Sequence, residues 1–213
     1  VLTTLSGEAE VLSFEKTAKK TQPDQLYKLT DIQVEAGSKY GYTPEKTLEL
    51  IQSLYERHKL ISYPRTDGRY VSTEKSKDFA RLLKAVEAMP SLSAAVKTVT
   101  PEAIAAAQGN KRFVNDVEVQ KSSHDALIPT GDTAALGNLT MDEMHICEMI
   151  FKRFLAIFFP PLEEEKTKAV LTDNNIKFSC TGSKVVNPGF TVLTSKPKET
   201  PLPDFKKGQK LKE

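Results

Sequence analysis

The chain has 213 residues, 39% of them hydrophobic, enough to bury a sizeable core as one large domain or two modest ones. Thirty Lys and Arg stand against 28 Asp and Glu, a formal net charge of +2, so composition excludes a global polyanion-binding surface and any nucleic-acid site must be a local patch. No apolar run approaches the roughly 18 residues of a membrane-spanning helix, and no early segment has signal-peptide form. The two cysteines, Cys147 in a helical apolar pattern and Cys180 in a strand-like one, read as buried free thiols of a reducing cytoplasm rather than a disulfide. Val1 at the start and the basic, turn-rich Phe205–Glu213 at the end read as boundaries within a longer protein.

In chain order, residues 1–20 mix β-branched and apolar positions with Lys and Glu and predict half-buried strand, beginning within residues 1–5. Gln22-Pro23-Asp24 breaks that pattern. Leu26, Leu29, Ile32 and Gln33 then predict a helix ending at Gly37. A better-defined helix opens with Thr43 as N-cap and Pro44 in the first turn, carries Leu48, Ile51, Leu54 and Tyr55 on one face, and leaves near His58-Lys59. Leu60–Tyr63 is a short extended segment turned by Pro64. Further helices are predicted over 73–88, where Phe79, Leu82, Leu83 and Val86 share a face, and over 101–107 behind Thr100-Pro101. The last, over 141–158, has a Thr140/Glu143 capping box and a stripe of Met144, Cys147, Phe151, Phe154 and Phe158, with Pro160-Pro161 as its stop. Strands at 166–171, 176–181 and 190–193, separated by Asp173-Asn174-Asn175 and Asn187-Pro188-Gly189, predict an antiparallel meander. The fold class is therefore α+β: a helical domain, 25–159, inserted into a discontinuous antiparallel β domain of 1–24 plus 160–213.

Residues 57–70 place Arg57, Lys59, Arg65 and Arg69 around Tyr63, the donor density a phosphate site needs. Arg65 lies two residues from Tyr63, so on extended chain both point to the same side. A phenol is a poor nucleophile at neutral pH, and a neighbouring guanidinium both favours the phenolate and holds phosphate charge. The same pattern also fits a strand aromatic beside a solvated basic loop. His124, within Ser122–Thr130, has the chemistry to donate to a phosphate or shuttle a proton, and equally that of a loop or N-cap histidine. His58 at a helix end and His145 off the apolar stripe read as structural. Glu163-Glu164-Glu165 reads as solvated surface, Asp24 and Asp31 form no acidic pair, and the sequence contains no metal-ligand cluster or Walker-type loop.

Leu60-Ile61-Ser62-Tyr63-Pro64-Arg65-Thr66-Asp67, preceded by Gln52–Glu56, closely resembles the active-site segment of type IA DNA topoisomerases, especially the topoisomerase III branch. His124–Thr130, Leu29–Ala36 and Leu202–Gln209 resemble further segments of that family in the same order. The resemblance implies that Tyr63 attacks the scissile phosphate of single-stranded DNA, making a 5′-phosphotyrosine and freeing a 3′-hydroxyl. Arg65 would position Tyr63 and stabilise the phosphate, His124 would hydrogen-bond the phosphate region, Thr66 and Asp67 would support the loop, and Lys59, Arg69 and Gln33 would contact DNA. The covalent intermediate keeps the phosphodiester bond energy, so resealing needs no ATP. Asp125 stands where the family usually has His or Glu, and Gly68 where Ser or Cys is common.

The family also carries a toprim domain whose acidic cluster binds Mg²⁺, and no such Asp-x-Asp cluster occurs in this sequence. The resemblance thus implies Mg²⁺ in the full-length enzyme, none held by this chain, and no DNA relaxation by this chain alone. It implies a β-rich arch on which the tyrosine-bearing helical domain lifts as a hinge. The implied partners are single-stranded DNA, the remaining domains of the same polypeptide and a helicase, with no membrane, at the nucleoid in a bacterial cytoplasm. Two other classes share parts of this pattern. Tyrosine recombinases also join Tyr, Arg and His, but there the tyrosine follows them, whereas Tyr63 precedes Arg65 and His124. A non-catalytic single-strand binding module would use Tyr63 and Tyr70 only to stack bases.

Overall fold

The computed structural model describes residues 5–194 and 197–212. The chain divides into two compact units, one made from both ends of the chain, through Gln22 and from Pro161, the other from Pro23–Pro160. The architecture is α+β, with the α-helices in the second unit and an antiparallel sheet in the first.

In the sheet, β1 (Glu8–Thr21) pairs with β2 (Leu162–Asp173) along most of its length, from Glu10 opposite Thr172 to Thr21 opposite Leu162. A two-residue turn leads from β2 into β3 (Ile176–Asn187), and β4 (Lys210–Lys212) adds to the far side of β1, giving the order β3-β2-β1-β4. Asn174 and Asn175 both take positive φ, 46° and 65°, the turn that matches strand twist and that asparagine tolerates better than most residues. Beside it the Asp173 carboxylate accepts from the Ser6 hydroxyl and from the Ser6 and Gly7 N–H groups, bonds that hold it below the usual carboxylate range.

Several expectations for this unit are corrected. Glu163–Glu165 are residues of β2 rather than loose surface: Glu163 pairs with Lys20 at 2.6 Å, Glu165 with Lys16 at 3.5 Å, and Glu164 is buried against Lys166. Strand alternation turns the middle carboxylate inward while cross-strand lysines meet the outer two. Residues 190–193 are not a strand, because Gly189 at φ +49° starts a 3₁₀ turn, Gly189–Leu193, closed by a Thr191 N–H bond to the Pro188 carbonyl. Residues 1–4 lie outside the described residues, Leu5 is in no strand, and β4 was not foreseen.

In the helical unit, α1 (Leu29–Tyr40) runs past Gly37 and stops at Gly41, whose φ of +73° makes the left-handed C-cap. Gly37 has another use: a Cβ there would come within 3.2 Å of the Tyr42 carbonyl. Thr43 caps α2 (Pro44–Gln52) by accepting from the Lys46 N–H. The helix then widens into a π turn, Ser53–Arg57, closed by His58 N–H to Ser53 O at 3.1 Å. Its buried face uses Leu50, Ile51 and Leu54, while Leu48 and Tyr55 are half-buried.

The stretch 73–88 is two helices, α3 (Thr73–Ser76) and α4 (Phe79–Glu87), broken at Lys77-Asp78. Two short helices were not foreseen, α5 (Pro90–Val96) and α7 (Asp116–Ser122), and α6 (Pro101–Gly109) continues beyond 107. The capping box is present on α8 (Met141–Ala156), which ends before Phe158. Phe79, Phe154 and Phe158 meet edge to face with centroids 5.2 to 5.5 Å apart at the heart of the core. Met144 is half-buried; Cys147 is fully buried, and burial pushes its thiol up to about 12. Cys180 is only half-buried, and neither cysteine is in a disulfide.

Candidate active site

The tyrosine segment is short extended chain stitched into the helical unit. Leu60 and Ile61 are fully buried. Thr130 N–H donates to Leu60 O, Ile61 bridges Pro129, and Ser62 N–H donates to Ile128 O at 2.9 Å. The Ser62 hydroxyl donates to Ala126 O at 2.8 Å and accepts from Ile128 N–H at 3.0 Å. This antiparallel pairing with residues 126–130 carries His124 to Tyr63, and the two rings lie tilted with centroids 4.4 Å apart.

After Ser62 the segment alternates. Tyr63, Arg65 and Asp67 are exposed, whereas Pro64, Thr66 and Gly68 are buried. Tyr63 and Arg65 are thus both exposed, while the chain bends at Ser62 and again at Pro64 and Arg65 rather than running straight as a strand. Tyr63 is 38% exposed, accessible yet braced by Tyr55 edge-on at 5.7 Å. Among the described residues the Arg65 and Asp67 side chains make no hydrogen bond or ion pair, so their charges stay available. Thr66 anchors the inward row: its carbonyl accepts from Leu29 N–H and its hydroxyl from Gly68 N–H.

Not every expected DNA contact joins this row. Arg69 is engaged by Asp31 through two bonds of 2.6 Å; the hydrogen bond raises the guanidinium and lowers the carboxyl. Gln33 donates to Pro44 O, linking α1 to α2. Lys59, at φ +57°, lies with its ammonium 5.8 Å from the Tyr55 ring centre.

Sequence reasoning missed the residues that seat His124. Ser123 takes φ +60°, and the Ser122 hydroxyl lies 2.8 Å from His124 O. A Cβ on Gly68 would stand 2.7 Å from both His124 O and Ser122 Oγ, so glycine is required for this approach. Asp125 accepts from Ser72 N–H at 2.7 Å, a structural use at a position where the family pattern differs.

Glu143 was read only as half of a capping box. Its Oε2 accepts from the Thr140 N–H and hydroxyl, and its Oε1 from Ser53 Oγ at 2.6 Å, with His58 Nε2 at 3.1 Å. Burial pushes this carboxyl up, but the bonds from Ser53, Thr140 and His58 prevail and bring it to about 2. Capping-box spacing announced the Thr140 half alone. Among the described residues no three His, Cys, Asp or Glu side chains converge to hold a metal. With Asp31 committed to Arg69 and Glu143 to its four donors, these carboxylates do not fit a Mg²⁺ site.

A family model described as DNA topoisomerase matches residues 1–213. The chain belongs to that family. DNA topoisomerase 3 of Bacillus licheniformis is 35% identical over 95% of this chain, and that of Bacillus subtilis 34% identical over 91%. The chain spans 28% and 26% of those topoisomerases' own lengths. Full-length topoisomerase I of Thermotoga maritima shares the fold, with a TM-score of 0.70 at 24% identity over 96% of this chain and 32% of its own.

Proposed function

We propose that this chain carries the nucleophile of a type IA topoisomerase that cuts and reseals single-stranded DNA, with Tyr63 as the attacking residue. The observation that supports this reading is the outward row: an accessible phenol, an uncommitted guanidinium two residues on, and His124 against the tyrosine ring. The Tyr63 Oη–P bond forms as the P–O3′ bond breaks, and the phenolic proton ends, in net, on the departing 3′ oxygen. Arg65 holds a non-bridging oxygen and His124 donates to the phosphate. Reversal reseals the strand with no change in phosphodiester count. In this proposal the acid–base group and Mg²⁺ come from other regions of the full-length polypeptide, which works on the chromosome in a bacterial cytoplasm.

The test uses the full-length protein with Mg²⁺ and an end-labelled single-stranded oligonucleotide. The 3′-end label should stay with the protein as a 5′-phosphotyrosine adduct, and Tyr63→Phe should abolish the adduct while leaving strand affinity nearly unchanged. An adduct surviving in Tyr63→Phe moves the nucleophile elsewhere. Retention of the 5′-end label supports the recombinase polarity, and no adduct in the unaltered protein supports a binding module.

A further inference from the structure

The π turn after α2 needs an explanation. An i→i+5 turn has a wider, less well-packed backbone than an α turn and survives where its surroundings select it. Here the backbone bond joins His58 N–H to Ser53 O. The side chains of these same two residues meet on one carboxylate oxygen, Glu143 Oε1. A regular α turn would instead set Arg57, an exposed residue, opposite Ser53. The buried carboxylate thus joins the same two residues that close the five-residue turn.

That register decides what Tyr63 meets. Tyr55 lies in the middle of the π turn and meets Tyr63 in a T-shaped contact with centroids 5.7 Å apart, so Tyr63 contacts both Tyr55 and His124. The turn closes with Leu60 N–H on Leu54 O, and Lys59 in the left-handed region redirects the chain into the tyrosine segment. Glu143 itself is 6% exposed and so offers no surface to a DNA strand.

We infer that Glu143 is a positioning residue: its Oε1 staples Ser53 to His58, fixes the π turn, and through Tyr55 sets the attack direction of Tyr63. This rests on Tyr63 being the nucleophile. The carboxylate's two oxygens separate the positioning role from a structural one. Ser53→Ala removes a donor from the staple and leaves the α8 cap; Thr140→Ala removes the cap hydroxyl and leaves the staple.

The experiment measures single-turnover cleavage of the oligonucleotide, single-strand affinity and melting temperature in the full-length protein. Ser53→Ala should slow cleavage about tenfold or more at unchanged affinity, the scale of a small misplacement of a reacting group. Thr140→Ala should lower the melting temperature at least as much and leave the cleavage rate within about twofold, because the Oε1 geometry is intact. Tyr55→Leu, which removes the ring that packs on Tyr63, should slow cleavage as Ser53→Ala does. Cleavage loss that follows melting temperature equally in Ser53→Ala and Thr140→Ala overturns the inference, as does loss of strand affinity in Ser53→Ala or Tyr55→Leu. Tyr63→Phe, run alongside, reports separately on the nucleophile: an adduct there sinks the functional reading whatever the other variants do.

Discussion

The tyrosine segment and the β1–β2 ladder are both non-helical chain, but they are held by opposite means. In the ladder, backbone pairing runs almost unbroken from Glu10–Thr172 to Thr21–Leu162, and outward side chains answer one another, as Lys20 and Glu163 do. In the tyrosine segment only isolated bridges occur, and the inward side chains of Ser62 and Thr66 supply the missing bonds. A regular ladder commits its outward charges to neighbouring strands. The irregular segment is fixed from beneath, which leaves Tyr63, Arg65 and Asp67 uncommitted for something outside the protein. A site that must bind phosphate gains from this, since a guanidinium already paired with a carboxylate would first have to break that pair.

Arg65→Ala gives the largest expected departure between the two regions. Cleavage by the full-length protein should fall about a hundredfold, the scale of removing one charged donor from a developing anionic centre. Its stability should move by less than about 0.5 kcal/mol, because among the described residues the exposed Arg65 side chain has no hydrogen bond or ion pair to lose. A large fall in melting temperature would show that Arg65 has a structural partner and that the two regions are held alike. Next comes Gly68→Ala. Its Cβ would press to 2.7 Å on His124 O and on Ser122 Oγ, costing about 1–3 kcal/mol by overpacking. Cleavage should fall with it, since the displaced carbonyl belongs to His124. Unchanged stability and rate would mean that the inward row yields easily.

Much of the site was legible because its signals are local. The exposed Tyr63 and Arg65 stand two residues apart in one short motif, the Thr43 cap is announced by Pro44 beside it, and the Thr140 cap by Glu143 three residues on. What stayed hidden depends on partners distant in sequence. Nothing near Ser53 announces a carboxylate 90 residues away, so the π turn was read as an ordinary helix end. Lys210 of β4 lies 202 residues from Glu8, whose carboxylate it meets, and a three-residue strand has no periodicity of its own. Gly37 misled for a different reason: a helix interior accepts glycine when a carbonyl must come close, and the Tyr42 carbonyl does. Residues 190–193 have strand composition, yet Pro188 and Gly189 had already bent the backbone into a 3₁₀ turn.

The smallest effect should come from the ladder itself. Lys20→Ala breaks the 2.6 Å pair with Glu163, yet the Lys20 side chain is 64% exposed, and water and salt already screen most of the attraction. Backbone pairing of Thr21 with Leu162 and of Lys19 with Glu164 continues on either side and needs no lysine. The expected loss is about 0.2–1 kcal/mol by denaturant titration, shrinking as salt rises, with no change in cleavage rate. A larger, salt-insensitive loss would mean that outward charges carry the ladder as inward side chains carry the tyrosine segment. The contrast between the regions would then lie in which face of the chain is used, and no longer in whether side chains or backbone do the holding.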